Sequence, residues 1–176
     1  MSNANHDKVP SEIVYDKDGR PKIWGFEARS NKETTPIRWF KVLMDEDHMQ
    51  DGLQKEVILE STKQGLAAIQ KTAEDVVIDY LRCVWEFALE TIRAPHQKDI
   101  ADNYRFRIVI TVPAIWNPQA MEKTRRAIQK VLANENWPVE VVQEPTAAAI
   151  YTLNHMMKFE SHAIHVGDCY LVCDAG

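Results

Sequence analysis

The stretch from Phe106 onward constrains this chain most, because strand-like and helix-like patterns alternate along it. Phe106-Arg107-Ile108-Val109-Ile110-Thr111-Val112 is rich in β-branched residues and nearly all apolar, the pattern of a strand buried on both faces. Pro113 ends it. Asn117 is placed to cap a helix, and Pro118 to take its first position, where a missing amide costs nothing. That helix runs to about Asn134. A second strand, Val139–Gln143, leads through Glu144-Pro145-Thr146 into a helix from Ala147 to about Met157. Tyr170-Leu171-Val172-Cys173 predicts a third strand. The order β-α-β-α-β implies an α/β fold with a largely parallel sheet.

The first part of the chain is organised differently. Residues 1–9 read as a disordered or truncated start. Ile13-Val14-Tyr15, the turn Asp16-Lys17-Asp18-Gly19 and a return run from Pro21 to Ala28 predict a β-hairpin over residues 11–28. Ile37 to Met44 is too short for its period to decide between helix and strand. Leu66, Ile69, Ala73, Val76, Val77, Tyr80, Leu81, Val84, Phe87, Ala88 and Ile92 recur at helical spacing, predicting one long helix from about 61 to 93. Ser61 with Gln64 has capping-box spacing, and Pro95 stops the helix. The division is a long-helix subdomain at about 40–105 and a β-α-β-α-β core segment at 106–176.

Charge and cysteine content exclude several classes. The 176 residues carry 26 acidic and 21 basic side chains, a net charge of -5, with no basic run of the kind that marks a nucleic-acid partner. No segment approaches the roughly 20 apolar residues that span a bilayer, so no membrane partner is expected. The polar N-terminus lacks the apolar region of a signal peptide. Cys83, Cys169 and Cys173 are an odd set that fits a reducing compartment, hence a cytoplasmic or nuclear location.

Glu144 and Asp174 stand at the ends of predicted strands, where open α/β sheets bind ligands. Asp174-Ala175-Gly176 lets a tight turn bring backbone amides against a phosphate, with the carboxylate beside a hydrated magnesium. A plain turn has the same spelling. Glu144-Pro145-Thr146-Ala147-Ala148-Ala149 fits a capped helix with a small-residue packing face, or a helix start that holds Glu144 at a cleft. His155, His162, His165, Cys169 and Cys173 suggest zinc, but a strand between the two cysteines would separate them by about 13 Å. The five tryptophans adjoin apolar segments and are expected in the core. No Gly-x-Ser-x-Gly, Walker-type loop or Gly-x-Gly-x-x-Gly is present.

Val109 to Asn117, a helix, Gln143-Glu144-Pro145-Thr146-Ala147-Ala148-Ala149, and Val172-Cys173-Asp174-Ala175-Gly176 together resemble the ATPase domain of the seventy-kilodalton heat shock protein family, in order and spacing. Trp-Gly-Phe-Glu-Ala at 24–28 and Trp-Phe-Lys at 39–41 resemble a divergent branch of it, the one typified by heat shock protein family A member twelve. The resemblance implies an actin-like, ribonuclease-H-like ATPase fold, of which this chain would be an incomplete first lobe. The implied cofactors are ATP and magnesium, and the implied partners are client proteins or co-chaperones. Carried over, Glu144 lies near the metal and the attacking water. Asp174 opens the second phosphate loop, with Ala175 and Gly176 following and Asp174 also near the magnesium. Lys41 stabilises charge on the γ-phosphate, and Pro113 couples nucleotide state to a substrate domain. Met121 replaces an arginine used in that coupling.

The departures shape the expected function. The family's opening Asp-x-Gly-Thr-Thr loop has no counterpart before Val9, and the second loop's further glycines would follow Gly176. The chain therefore reads as a fragment of a heat-shock-type ATP-hydrolysing chaperone domain, truncated at both ends, that binds no nucleotide tightly and is not catalytically competent alone. The alternative is a non-catalytic interaction module from the same lobe, with the long helix as its partner face.

Overall fold

The structure is a computed structural model, and its description covers residues 8–45, 53–93, 105–133, 135, 137–156, 165, 167–169 and 171–172. It is a mixed α/β arrangement with two small two-stranded sheets and, among the described residues, five α-helices.

The hairpin forms where its turn residues predict. Strands β1 (Ile13–Tyr15) and β2 (Pro21–Trp24) pair antiparallel, Ile13 opposite Trp24. Asp16 Oδ1 accepts from the amides of Asp18 and Arg20, both at 2.9 Å, and Gly19 supplies the positive φ of 73°. The second strand is shorter than its sequence suggests. Gly25, at φ 61°, turns the backbone into helix α1 (Gly25–Ser30), so Phe26 to Ala28 are helical rather than extended. A Cβ at Gly25 would stand 2.9 Å from Val9 Cγ1. Ile37 adds an antiparallel bridge to Ile13, and a 3₁₀ turn follows at Val42–Met44.

The long helix is two helices, α2 (Leu53–Ala68) and α3 (Ala73–Ile92). The Lys71 amide donates to Leu66 O and the Gln70 amide to Ala67 O, both at 3.1 Å, with Gln70 at φ 54°. This is a Schellman stop with glutamine in the left-handed position that glycine usually takes. Thr72 then starts α3 with a reciprocal capping box to Asp75. Ser61 caps nothing: its hydroxyl donates to Ile58 O inside α2 at 3.0 Å.

Two hydrogen bonds from Thr72, the hydroxyl first and then the amide, hold the Asp75 carboxyl below its ordinary range. A folded pKa below the unfolded one gives a contribution fully present above the unfolded value, near pH 4, and lost as pH falls through the folded one. Asp75→Ala is expected to cost about 1 kcal/mol in urea unfolding at pH 7, a difference that shrinks below about pH 4.

From residue 106 the observed order is β-α-β-α. Strands β3 (Ile108–Val112) and β4 (Val139–Gln143) are parallel, joined through helix α4 (Pro118–Val131). Helix α5 (Glu144–Met156) starts directly from β4 because Pro145, with no amide to satisfy and a preset φ, fits the first turn. Phe106 and Arg107 precede the ladder. The Phe106 ring instead joins Trp137 and Trp85 at centroid distances of 4.9 and 5.9 Å.

β3 is not buried on both faces. Ile110 and Val112 face α3 and α4, whereas Val109 is 54% exposed over a cavity of about 470 Å³ that it shares with Ile150 and Tyr151 of α5. The expected third strand is not formed at its described positions: Leu171 is 92% exposed, and neither it nor Val172 belongs to either sheet. Tyr170 and Cys173 lie outside the described residues.

The core gathers Ile13, Phe40, Leu43, Met44, Val76, Val77 and Ala127 between the hairpin, the 3₁₀ turn, α3 and α4. Helix α4 presents Ala120, Thr124, Ala127 and Ile128, one helical stripe, toward this core. Trp24 packs edge-on to Tyr80 and Phe87, as expected of a core tryptophan, but Trp39 is 54% exposed. Among the described residues, no helix is long and apolar enough to cross a membrane.

Candidate functional site at the carboxyl edge of the parallel strands

The register of the parallel pair sets Val112 opposite Gln143. Pro113 and Glu144 therefore leave the two strands at the same edge, the carboxyl edge, where α/β sheets place ligands. Pro113 O accepts from the Trp116 amide at 3.2 Å, a turn that carries the chain to Asn117. Asn117 caps α4 as its sequence predicts, accepting from the Ala120 amide at 2.8 Å.

Lys41 reaches this edge from a different part of the chain. It stands at the start of the 3₁₀ turn, and its Nζ lies 2.8 Å from Glu144 Oε1, across 103 residues of sequence. The same Nζ is 5.8 Å from the centroid of the Trp116 ring. The turn is pinned by a buried residue that sequence reasoning missed. Asp45, 5% exposed, accepts from the Asn117 amide at 2.8 Å and from Asn117 Nδ2 at 3.0 Å. One aspartate thus ties the Lys41 turn to the cap of α4. Asp45 carries no spacing signature, since its partner lies 72 residues away. A cavity of about 170 Å³ lies behind Lys41, with Tyr80, Val112 and Trp116 among its walls.

The chemistry follows from exposure. The Lys41 and Glu144 side chains are 48% and 35% exposed. Such a pair is worth about 0–1 kcal/mol, so it separates at small cost. Once separated, an ammonium can offset phosphate charge and a carboxylate can orient a water. For magnesium, Glu144 fits a shell reached through water, because Mg²⁺ keeps most of its waters and takes one or two carboxylates. Asp174, Ala175 and Gly176 lie outside the described residues.

The histidines and cysteines form no metal site among the described residues, where no group of three His, Cys, Asp or Glu side chains could hold an ion. His155 instead stacks on Tyr151 at a centroid distance of 6.2 Å. His162 and Cys173 lie outside the described residues. In comparisons with family models, with curated proteins and with solved structures, no family model, curated protein or solved structure matches the chain.

Proposed function

We propose that this chain contributes the first lobe of an actin-like, heat-shock-type ATPase, with Lys41 and Glu144 facing the terminal phosphate. One observation supports the reading above the rest. Two residues that the family resemblance assigns to the γ-phosphate and its attacking water, far apart in sequence, meet at 2.8 Å on the carboxyl edge of a parallel strand pair. Pro113 leaves β3 at the same edge, where it is suited to pass on the state of that site. Among the described residues the site holds one lysine and one glutamate, too few to grip a triphosphate tightly. On these two groups alone an affinity for Mg-ATP in the millimolar range is expected, and turnover needs further phosphate-positioning groups. The alternative, a non-catalytic interaction module from the same lobe, would present α2 and α3 as its partner face in place of one long helix.

The test is a titration with Mg-ATP followed by saturation-transfer NMR. Binding is expected near about 1 mM, with no thermal stabilisation at micromolar nucleotide. Lys41→Met should weaken it about tenfold, the loss of one charge-assisted bond. Glu144→Gln should leave binding intact, because it removes a competitor for Lys41. Wild-type affinity in Lys41→Met would overturn the proposal.

A further inference from the structure

A second cavity, of about 320 Å³ and sharing Lys41 with the Glu144 edge, is lined by Glu12, Arg29, Arg38 and Trp39, among others. Its anchor is Glu12, a carboxylate that is 4% exposed and fixed through its backbone, where Glu12 O accepts from the Gly25 amide at 2.9 Å. Arg29 meets Glu12 Oε1 through Nε at 2.8 Å and Nη2 at 2.7 Å. Arg38 Nε stands 3.0 Å from Oε2 as an ion pair, in a geometry that leaves this buried oxygen without a hydrogen bond. One carboxylate is thus shared by two guanidiniums, leaving one formal positive charge over. The contacts use Nε of each arginine and Nη2 of Arg29. Nη1 of Arg29 and both Nη groups of Arg38 make no hydrogen bond among the described residues. The guanidinium side chains are 57% and 49% exposed, open to a ligand yet held in place from behind. A planar fork fixed in this way matches a phosphate better than a mobile lysine does.

Trp39 adds a second, independent observation. It has φ 60°, a left-handed conformation that costs a non-glycine residue about 1–2 kcal/mol. The residue is 54% exposed and lines the cavity wall, outside the core cluster. Backbone strain that exposes a large flat side chain beside two anchored guanidiniums is a cost that packing does not repay.

We propose that this cavity binds a small organic phosphate with an aromatic ring, its phosphate on Arg29 and Arg38 and its ring against Trp39. The site does not use Glu144 and stands whether or not the nucleotide reading holds. The test is quenching of tryptophan fluorescence in the full chain by phenyl phosphate, with inorganic phosphate as comparator. Phenyl phosphate should bind saturably and about tenfold more tightly than inorganic phosphate, measured by its competition. Arg38→Gln should weaken phenyl phosphate about tenfold, while Arg38→Lys should weaken it less. Trp39→Ala, at an exposed position, should leave the fold intact by circular dichroism. Calorimetry on that variant should show the two ligands binding alike. The proposal fails if phenyl phosphate shows no saturable binding up to about 10 mM. It fails equally if Arg38→Gln binds as wild type, or if Trp39→Ala keeps the aromatic preference.

Discussion

Asp79→Ala is expected to destabilise the chain by about 3 kcal/mol, the largest effect of any single polar substitution described here. Asp79 lies on α3 and is 8% exposed. Its Oδ2 accepts from Tyr15 Oη at 3.1 Å and pairs with Lys71 Nζ at 2.9 Å. Oδ1 meets Arg82 Nη1 at 3.1 Å. Lys71 also sits 5.1 Å from the Tyr15 ring centroid. This one carboxylate therefore fastens the elbow between α2 and α3 to the hairpin. Removing it strands the Lys71 ammonium, whose side chain is 22% exposed, and the half-buried Tyr15 hydroxyl. Arg82 is 46% exposed and adds little. Burial first, and then the Asp79 charge, push the Tyr15 phenol well above its ordinary value, so it remains a donor wherever the fold persists. Asp79→Asn keeps an acceptor and should cost about half as much. Urea unfolding followed by tryptophan fluorescence measures both; a loss below about 1 kcal/mol for the alanine variant would mean that water already screens the cluster.

Asp45→Ala is expected to cost about 2–3 kcal/mol and to loosen the site as well. The substitution leaves the Asn117 amide and side-chain amide without their acceptor at a partly buried position. It also frees the 3₁₀ turn, in which the Asp45 amide donates to Val42 O at 3.3 Å and the Met44 amide to Lys41 O at 3.1 Å. Lys41 begins that turn, so its pairing with Glu144 should weaken together with the fold. Asn117→Ala removes the Nδ2 bond to Asp45 and the α4 cap but keeps the backbone amide bond. Because the two residues are partners, the double variant should cost clearly less than the sum of the singles. Additive losses would show that Asp45 and Asn117 act separately.

Local chemistry explains which parts of the fold are legible in sequence. Asp16 and Gly19, Asn117 with Pro118, and the β-branched run of β4 each act on neighbours, and each element forms where its residues predict. The α2–α3 break is hidden because Gln70, not glycine, takes the left-handed position, and because the apolar stripe continues through Ile69 and Ala73. The hairpin's second strand looks extended in Trp24 to Ala28, yet Gly25 redirects it. At the site, Glu144 and Pro113 are readable as strand-end residues and Lys41 from the family resemblance. Asp45, Glu12, Arg29 and Arg38 act through partners 17 to 72 residues away, and no spacing within the chain marks them.

The most direct measurement is the NMR shift of the Lys41 side chain, assigned by comparison with Lys41→Met, during titration with Mg-ATP and with Mg-ADP. If Lys41 leaves Glu144 for the γ-phosphate, its resonances move saturably with Mg-ATP at about millimolar concentration and far less with Mg-ADP. Lys41 resonances that stay in place up to about 10 mM Mg-ATP, or move equally with both nucleotides, would contradict the assignment of this edge to the terminal phosphate.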